Sequence, residues 1–577
     1  MPPMNSIPTQ GRSLPPVRPG QPRETVQVRF PDGRIFEASA GTPLEAFVAA
    51  IRRPEDPLVV SAMMEGKLVE LTCPVERDVA VEPIALTHGD GVRVYQRSLS
   101  FLLTVAAHEL FPEAAIVVDH SLTLSGLFIR VEGRSPFRPE ELSRLEGRMR
   151  ELVEADLPIV KRRVPLAEAR EIFQRQAYLD KVQLLDYRQK DYLTVYELRG
   201  LCDYFYGHML PSTGYLRLFA LHHYPPGFIL RFPRRSQPDV LPPFRDSPKL
   251  AAIFRQYGEW LDFLQIEDVA GLNRAIDQKR IREVILVAEA FHAQRIAETA
   301  REIAQQRDRV RLVLIAGPSS AGKTTFARRL GVQLLANGIR PLPVSLDDYF
   351  LSRKDTPLDE SGEPDYESLH AIDLDLFNEQ LLALTEGSEV TLPRFNFVTG
   401  EREAGRSLRM QAGQVLLIEG LHGLNPNLVP RIPPGCIYRV YVSALTQLNL
   451  DRHNRVPTTD TRLLRRIVRD ARDRGYPARE TITNWERVRR GEERYIFPYQ
   501  ENADTMFNSA LAYELAVLKP LAEPLLRQIE PGTLEWVEAR RLLAFLDWFR
   551  PCPTDPVPDN SLLREFIGGS ILEGFLF

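Results

Sequence analysis

Apolar runs of strand length alternate with helical patterns in the second half of the chain. The runs lie at residues 310–316, 342–346, 415–419 and 437–442. Alternation of this kind is typical of a parallel sheet that helices cover on both faces. Ligands of such sheets bind beyond the carboxyl ends of the strands. The residues that directly follow these four runs are therefore the first candidates for chemistry.

The front of the chain shows a different pattern. Short strand patterns alternate with turns over residues 25–96, for example at Pro31-Asp32-Gly33. A hairpin is expected over 59–71, around Glu65-Gly66. This pattern predicts a small α+β unit. His108 lies in a later apolar helical stretch, and we expect it in the core.

Residues 233–305 connect the two parts and are mainly helical in pattern. We expect one helix over 250–264 and a second over 266–305, the second broken near Gly271. These helices are placed to pack the front of the chain onto its second half.

The loop after the first apolar run fits a phosphate-binding pattern. Gly317, Gly322, Lys323 and Thr324 match G-x-x-x-x-G-K-[ST] between a strand and a helix N-terminus. Unpaired N–H groups favour an anion there, Lys323 would reach the terminal phosphates, and Thr324 would coordinate Mg²⁺. The alternative is a glycine-rich turn in an ordinary α/β domain. The predicted nucleotide-binding residues are Gly317, Ser319, Ser320, Ala321, Gly322, Lys323, Thr324 and Thr325.

Acidic residues follow the second and third runs. Asp347 and Asp348 stand where a carboxylate could accept a proton from an attacking hydroxyl or hold Mg²⁺. A turn or a helix N-cap is the alternative for each. Glu419 ends its apolar run, as the Mg²⁺-associated acid of phosphate-loop enzymes does. No N-K-x-D signature for guanine is present, which argues against a GTPase.

Six arginines crowd one predicted helix and its exit. Four of them follow spacings of three and four, so most share a face. A closing lid that brings arginines to a transferring phosphoryl group would use them. The alternative is a solvated face that pairs with Asp470 and Asp473. The six are Arg462, Arg465, Arg466, Arg469, Arg472 and Arg474.

Bulk properties narrow the class of protein. The net charge of −4 gives no general attraction for nucleic acid. Four cysteines, far apart and without a C-x-x-C pair, indicate a reducing compartment and argue against zinc or a disulfide framework. Residues 1–24 are rich in proline and lack the apolar stretch of a secretory signal, and no apolar run can span a bilayer. We therefore expect a cytoplasmic protein with a disordered tail over 1–24.

The phosphate loop, S-L-D-D-Y-F, I-E-G-L-H-G-L and R-R-I-V-R-D-A-R-D-R-G together resemble the uridine kinase and phosphoribulokinase family over residues 309–525. That family transfers the ATP γ-phosphate to a primary hydroxyl of a nucleoside or sugar phosphate. The resemblance implies ATP and Mg²⁺ as cofactors, with Asp347 as general base. The implied catalytic residues are Asp347, Lys323, Arg469 and Arg474, and the implied metal-linked residues are Thr324, Asp347 and Glu419.

Positions that meet the acceptor depart from the family's pattern. Glu367 stands where uridine kinases have an Asp that binds ribose hydroxyls, Gly400 replaces a base-contacting His, and Tyr476 replaces an Arg. Loss of a polar base-reading group weakens discrimination between acceptors. Phosphoryl transfer is therefore expected, while the identity of the acceptor stays open. The implied substrate-binding residues are Glu367, Phe395, Phe397, Arg402, Arg466 and Tyr476.

The front of the chain resembles two other modules. Residues 25–96 are similar to the TGS domain, a ubiquitin-like module of threonyl-tRNA synthetases and some GTPases. Residues 97–232 resemble the editing domain that follows TGS in threonyl-tRNA synthetase. Arg97 and Phe101 stand where that domain has a zinc-binding His pair, so we expect the editing chemistry to be lost. Cys202 and His208 are then packing and hydrogen-bonding residues.

The predicted fold class is multidomain α+β and α/β. The predicted segments are a tail over 1–24, a β-grasp TGS-like module over 25–96, an α+β editing-like domain over 97–232, a helical connector over 233–305 and a phosphate-loop kinase domain with a parallel sheet over 306–577.

Two functions of different classes follow. The first is an ATP-dependent kinase that acts on a nucleoside, a uridine- or cytidine-like 5'-hydroxyl, or a related sugar. The second is an RNA- or ribosome-associated ATP-dependent regulator that binds through the TGS module. The acidic net charge disfavours RNA contact. Membrane association is not expected, and the oligomeric state stays open.

Overall fold

The first unit is a mixed sheet with one short helix packed on it. The computed structural model describes residues 23–122, 126–360, 362–396 and 399–576. The sheet order is β2-β1-β7-β4-β5, with β1 parallel to β7 and antiparallel to β2. The expected hairpin forms between β4 and β5, where Glu65 and Gly66 have φ values of 52° and 72°. The elements are β1 (Thr25–Arg29), β2 (Ile35–Ser39), β3 (Thr42–Pro43), α1 (Leu44–Ile51), β4 (Val59–Met64), β5 (Lys67–Val69), β6 (Pro74–Val75) and β7 (Val79–Ala85).

The second unit is α+β, as predicted. It contains a three-stranded sheet, β10-β11-β12, and a four-stranded sheet, β13-β14-β9-β8. Its first helix, α2, runs across the predicted boundary at 96/97. The prediction for His108 was wrong, because this residue lies on the exposed side of α2. The elements are α2 (Gly89–Leu110), β8 (Ala115–Leu122), β9 (Gly126–Glu132), α3 (Pro139–Glu154), β10 (Val160–Pro165), α4 (Leu166–Arg175), α5 (Leu179–Leu185), β11 (Tyr192–Leu198), β12 (Leu201–Asp203), β13 (Ala220–Tyr224) and β14 (Gly227–Arg231).

Three helices follow rather than the two expected: α6 (Pro248–Phe263), α7 (Val269–Asp277) and α8 (Ile281–Gln305). The break predicted near Gly271 lies instead at Lys279, whose φ is 61°. Gly271 belongs to the first turn of α7, and its N–H donates to the Asp268 carboxylate at 2.7 Å. Asp268 is therefore an N-cap, which starts the helix at this point.

The second half is built on a parallel sheet of order β16-β19-β15-β20-β21. The apolar runs form its central strands, and the β15 residues are all buried. Helices cover both faces, which confirms the predicted α/β class. The elements are β15 (Leu312–Ala316), α9 (Lys323–Ala336), β16 (Pro341–Ser345), α10 (Leu374–Thr385), β17 (Glu389–Asn396), β18 (Glu401–Arg409), β19 (Val415–Glu419), β20 (Ile437–Ser443), α11 (Thr458–Asp473), α12 (Ala478–Tyr495), β21 (Thr505–Asn508), α13 (Glu514–Leu526), α14 (Leu534–Leu546) and α15 (Arg564–Ile567).

The halves share one hydrophobic core. A single cluster of buried side chains continues from Val164 in the second unit, through α7 and α8, to Phe566. Buried charges join the halves as well: Lys181 Nζ lies 2.8 Å from Asp203 Oδ1 and from Asp451 Oδ1. The front of the chain is therefore packed onto the parallel-sheet half. Within the described residues, no helix combines the length and apolar character that crossing a membrane requires.

Candidate functional site

The loop between β15 and α9 has the geometry that a phosphate-binding loop needs. A Cβ on Gly317 would lie 1.9 Å from the Val442 carbonyl oxygen, so only glycine fits there. Ser320 and Gly322 adopt φ values of 57° and 87°, which turn the chain sharply before the helix. The N–H groups of the first turn of α9 thus face the carboxyl end of the sheet, where they can bind an anion.

Two arginines of α11 hold this loop through hydrogen bonds to its backbone carbonyls. Arg462 donates to the Ser319 carbonyl at 3.0 Å and to Glu492 Oε2 at 2.8 Å. Arg465 donates to Glu514 Oε2 at 2.6 Å and to the Ser320 carbonyl at 3.4 Å. Both arginines are fully buried. The alternative of a solvated arginine face is therefore wrong for these two, because each is neutralised by a buried glutamate and supports the loop.

The other arginines of this helix gather around one aspartate. Asp470 is buried and accepts hydrogen bonds from Arg466 Nε at 3.2 Å and Arg469 Nη2 at 2.8 Å. Arg474 Nη1 lies 3.5 Å from Asp470 Oδ1, and Arg466 Nη1 also donates to the Ser319 hydroxyl at 2.9 Å. Arg466 thus lies beside the phosphate loop, and it shares the carboxylate of Asp470 with Arg469 and Arg474.

Carboxylates crowd together at the ends of the neighbouring strands. Burial raises the pKa of Glu419 to about 7; Asp347 raises it further and Lys323 opposes the shift. Burial raises the pKa of Glu367 to about 8, with Glu492 adding to the shift. The pKa of Asp347 is also raised by burial, and Lys323 again opposes. Lys323 faces all three carboxylates, Arg466 also opposes the shift of Glu367, and Arg474 opposes that of Asp347.

The donor set at this point fits a divalent cation. Thr324 Oγ1 lies 3.3 Å from both carboxylate oxygens of Glu419. Hydroxyl and carboxylate oxygens are the ligands that Mg²⁺ takes in nucleotide sites. A cation here would also relieve the repulsion between Glu419 and Asp347.

The two adjacent aspartates after β16 have different surroundings. Asp347 lies in a short 3₁₀ turn, where its N–H donates to the Ser345 hydroxyl at 3.3 Å. Its carboxylate is within electrostatic reach of Lys323 and Arg474. Asp348 instead accepts the Phe395 N–H at 3.2 Å, which ties the turn to β17. Asp347 thus faces the cleft, and Asp348 has a structural contact.

The predicted acceptor-binding residues are not all in one place. Glu367 is close to Lys323 and Arg466, and its Oε2 is buried without a hydrogen-bond partner among the described residues. Phe395 is buried against Phe350, with ring centroids 5.7 Å apart. Two further predicted residues stand apart from these: Arg402 donates to Asp373 Oδ2 at 2.8 Å, and Tyr476 is 45% exposed. The remaining predicted residue, Phe397, lies outside the described residues.

Two glutamates at the phosphate loop were missed by sequence reasoning. Glu492 Oε1 accepts the Ser319 N–H at 3.0 Å, and Glu565 Oε2 accepts the Thr325 N–H at 3.1 Å. The ring nitrogens of His422 also lack partners among the described residues. Both glutamates lie far along the chain from the loop, so no local spacing indicated them. His422 stands directly after I-E-G-L, where its position next to the third strand was a usable signal.

Comparison with known proteins agrees with this geometry. Residues 312–515 match the family described as Phosphoribulokinase / Uridine kinase family. These residues form a phosphoribulokinase/uridine kinase family domain. The kinase domain thus contains the phosphate loop, Asp347, Glu419 and the arginines of α11. Its family places it among the phosphate-loop kinases.

Relatives of known sequence match a different part of the chain. A threonine–tRNA ligase of Symbiobacterium thermophilum is 30% identical over 197 residues, which are 34% of this chain and 30% of the ligase. That of Burkholderia lata is 28% identical over 197 residues, 34% of this chain and 31% of the ligase. The similarity lies in the N-terminal region. The chain thus spans about a third of the length of these relatives. Among solved structures, one described as a possible uridine kinase from Bacillus stearothermophilus has a TM-score of 0.24 at 19% identity, covering 34% of this chain and 89% of that chain.

The residues at the positions of the expected zinc site make packing and hydrogen-bond contacts within the second unit. Arg97 donates to the His208 carbonyl at 3.0 Å, and a Cβ on Gly207 would lie 2.5 Å from the Arg97 guanidinium. Phe101 is fully buried against Phe205, with centroids 5.2 Å apart. Cys202 is buried, and its backbone N–H donates to Gln176 Oε1 at 2.9 Å. Arg97 therefore occupies the space beside residues 207 and 208, next to the kinase domain.

Proposed function

We propose that this protein is an ATP-dependent phosphotransferase whose acceptor is a primary hydroxyl of a nucleoside or a related sugar. One observation carries the proposal. A phosphate loop, its lysine and two strand-end carboxylates, Asp347 and Glu419, converge at the carboxyl end of the parallel sheet. A cytoplasmic location is part of the proposal, because ATP is supplied there.

Each residue of the cleft has a separate task in the proposed transfer. The loop N–H groups bind the phosphate oxygens, and Lys323 contributes positive charge next to them. Thr324 and Glu419 would hold Mg²⁺, which would neutralise part of the phosphate charge. Asp347 orients the acceptor hydroxyl and takes its proton as the oxygen attacks. The raised pKa of Asp347 suits a base of this kind, because it moves the carboxyl group toward the working pH.

The arginines around Asp470 supply positive charge at the transferred group. Arg466 and Arg469 share that carboxylate. Either side chain could therefore turn from Asp470 to a phosphate group at little cost in free energy. Glu367 lies next to this group, and its unpartnered oxygen is placed to accept a hydrogen bond from a hydroxyl of the acceptor. Arg402 and Tyr476 stay candidates for the outer part of the acceptor site.

The direct test is an acceptor screen with the full chain. ATP labelled on its γ-phosphate is incubated with Mg²⁺ and, separately, with nucleosides and with sugars that bear a primary hydroxyl. Transfer of label to one compound, and none to its 5'-deoxy or methyl-ether counterpart, is the expected result. ATP binding without transfer to any compound would contradict the proposal of a metabolic kinase.

A second function is favoured by one observation, the similarity of the N-terminal region to threonine–tRNA ligases. On this basis the front units bind RNA, and ATP use in the kinase domain responds to it. The same assay separates the two functions when tRNA or ribosomes are added. ADP release that depends on RNA alone favours the regulator, whereas release that depends on a nucleoside favours the kinase.

A further inference from the structure

A cavity of about 210 Å³ lies where the three parts of the chain meet. Strands β8 and β9, with residues 224–226 at the end of β13, form one wall, α6 a second, and the kinase-domain loop over residues 447–452 a third. Eight acidic side chains line it against three arginines, so its charge is strongly negative. It is smaller than the roughly 300 Å³ of sites for drug-sized ligands, which limits an occupant to a small molecule.

Part of the acidic lining is already neutralised. Arg452 Nε lies 2.9 Å from Asp180 Oδ1, and Arg130 Nη1 lies 2.6 Å from Glu132 Oε1. Asp451 contacts the buried ammonium of Lys181 at 2.8 Å. These pairs account for the acids at the kinase end and along β9, and they leave the acids next to α6.

Three acids near the end of α6 lack such compensation. Asp262, Glu267 and Asp268 have no ion-pair partner among the described residues. Burial raises the pKa of Asp268 to about 6, and Asp180 and Asp451 add to the shift. Asp262 and Glu267 lie at the exposed rim of the cavity. Partial burial raises the pKa of Glu267, with Asp262 adding to the shift. This repulsion would be relieved by a cation that enters the cavity.

Two buried polar side chains of the cavity wall also lack partners. His120 is 4% exposed, and its ring stacks on Phe254 with a centroid distance of 3.9 Å. Its Nε2 has no hydrogen-bond partner among the described residues, and its Nδ1 lies 3.3 Å from Asp119 without hydrogen-bond alignment. Asn449 is 7% exposed, and its Oδ1 is likewise without a partner. A ligand with N–H donors would supply the hydrogen bond that Asn449 Oδ1 lacks.

We propose that this cavity binds a small organic cation, a primary or secondary amine with a short apolar body. Its ammonium group would lie among Asp262, Glu267 and Asp268, with N–H donated to Asn449 Oδ1. Its apolar part would lie against Ala251, Phe254 and Leu261 of α6.

Calorimetry on the full chain tests this site at about pH 8, where carboxylates of raised pKa are ionised. The probes are 1,4-diaminobutane, spermidine and the neutral isostere 1,4-butanediol, with Mg²⁺ as a simple cation. We expect saturable heat with the amines and none with the diol. Equal binding of diol and diamine, equal binding of Mg²⁺ at the same residues, or no heat with either amine at millimolar concentration overturns the proposal.

Paired variants locate the binding. Asp262→Asn with Glu267→Gln is expected to weaken diamine binding at least about tenfold, the size of one or two lost charge-assisted hydrogen bonds. Because these acids repel each other, the free double variant should unfold at or above the wild-type temperature. Glu154→Gln, an exposed acid on α3, is the control and should bind as the wild type does. A folded double variant with wild-type affinity would also overturn the assignment.

A second and independent feature concerns the nucleotide site itself. Residues near α15 lie across the phosphate loop: a Cβ on Gly322 would be 2.3 Å from Leu562 Cδ2. Glu565 Oε2 accepts the Thr325 N–H at 3.1 Å, and Arg472 Nη2 donates to the Glu565 carbonyl at 3.1 Å. A carboxylate thus occupies a first-turn N–H of α9, which is a phosphate donor in a site of this kind.

We infer that Glu565 competes with the nucleotide and that α15 shifts when ATP binds. This inference rests on the proposed function. Both anions need the same N–H groups, and the Glu565 carboxylate also adds to the negative charge at Glu419. Leu562 and Arg472 hold the segment against the loop, so its release accompanies the loss of the Glu565 contact.

The Glu565→Gln and Glu565→Ala variants of the full chain test this by Mg²⁺–ATP calorimetry. We expect at least about a threefold lower Kd in both, because removal of one competing charge is worth about 0.7 kcal/mol. Glu573→Gln, an exposed acid of the same segment, is the control. Unchanged ATP affinity in both Glu565 variants overturns the competition alone. Absence of ATP binding in the wild type and in both variants would instead contradict the proposed function.

Discussion

Two groups of buried charge in this protein are compensated in opposite ways. Between the halves, Lys181 contacts Asp203 and Asp451 at 2.8 Å, and His453 Nδ1 contacts Asp203 at 2.6 Å. At the end of the parallel sheet, burial raises the pKa of Glu419 to about 7, repulsion from Asp347 adds to the shift, and Lys323 compensates it only in part. Ion-paired charges thus lie at the junction between the halves. Carboxylates without full compensation lie in the cleft that fits a metal–nucleotide.

The sharpest test of this contrast lies in the cleft. Asp347→Asn is expected to lower kcat by about 10²–10⁴, the usual contribution of a general base. Lys323→Ala is expected to lower it by about 10²–10³, because charge at the transferred group is lost. Steady-state kinetics with the acceptor found in the screen measures both. Far-ultraviolet circular dichroism should show that the fold is intact.

Asp348→Asn is the matched control for the cleft. It removes the same charge one residue away, where the carboxylate accepts the Phe395 N–H. It should keep most of the turnover. If Asp348→Asn abolishes transfer while Asp347→Asn does not, Asp348 rather than Asp347 would be the general base.

The junction should respond in stability rather than in turnover. Lys181→Met leaves Asp203 and Asp451 buried without their cation, which is expected to lower the free energy of unfolding by about 3–5 kcal/mol. Urea unfolding measures this loss. Lys67→Met, at an exposed position on β5, should have no such effect. A Lys181→Met protein of wild-type stability would mean that the network is not what holds the halves together.

The pH dependence of stability offers a finer comparison. The carboxyl group of Glu419 ionises near 4.5 when unfolded and near 7 when folded, so the folded state holds more protons in between. Stability contributed by this group therefore falls as pH rises from about 4.5 to about 7 in the absence of Mg²⁺. Glu419→Gln should flatten the curve of unfolding free energy against pH over that window. Glu530→Gln, an exposed acid, should leave the slope unchanged.

The smallest effect is expected at the edge of the acceptor site. Tyr476 is 45% exposed, so Tyr476→Phe should change the acceptor KM by no more than about twofold, as surface substitutions do. Glu367→Gln should change that KM more, because its oxygen has no partner within the described part of the protein. A large effect of Tyr476→Phe would show that the acceptor reaches the end of α11.

Much of the fold could be predicted because its signals are local. The apolar runs became β15, β16, β19 and β20, and the glycines of the phosphate loop occupy backbone positions that no other residue fits well. The break in the connector was misplaced for a physical reason. Gly271 suggested a breaker, but the Asp268 N-cap starts a helix there, and the chain turns at Lys279 instead.

The site could be predicted only where its residues are close in sequence. Arg462 and Arg465 look like solvent-exposed lid residues along their helix, because their buried partners Glu492 and Glu514 lie on other elements. Glu565 is separated from Thr325 by 240 positions, so only the fold brings it to the loop. Spacing in the sequence shows which residues share a helix face. Only the packing of the fold decides which of them pair with a buried carboxylate.

The anchoring of α11 limits how this protein could move. Arg462 and Arg465 bind the carbonyls of Ser319 and Ser320, so the first two turns of the helix are fastened to the nucleotide loop. A rigid-body rotation of the whole helix would break these hydrogen bonds to the loop. Domain closure, if it accompanies turnover, must bend the chain beyond Arg466, and a hinge there would carry Arg469 and Arg474 inward while the rest stays still.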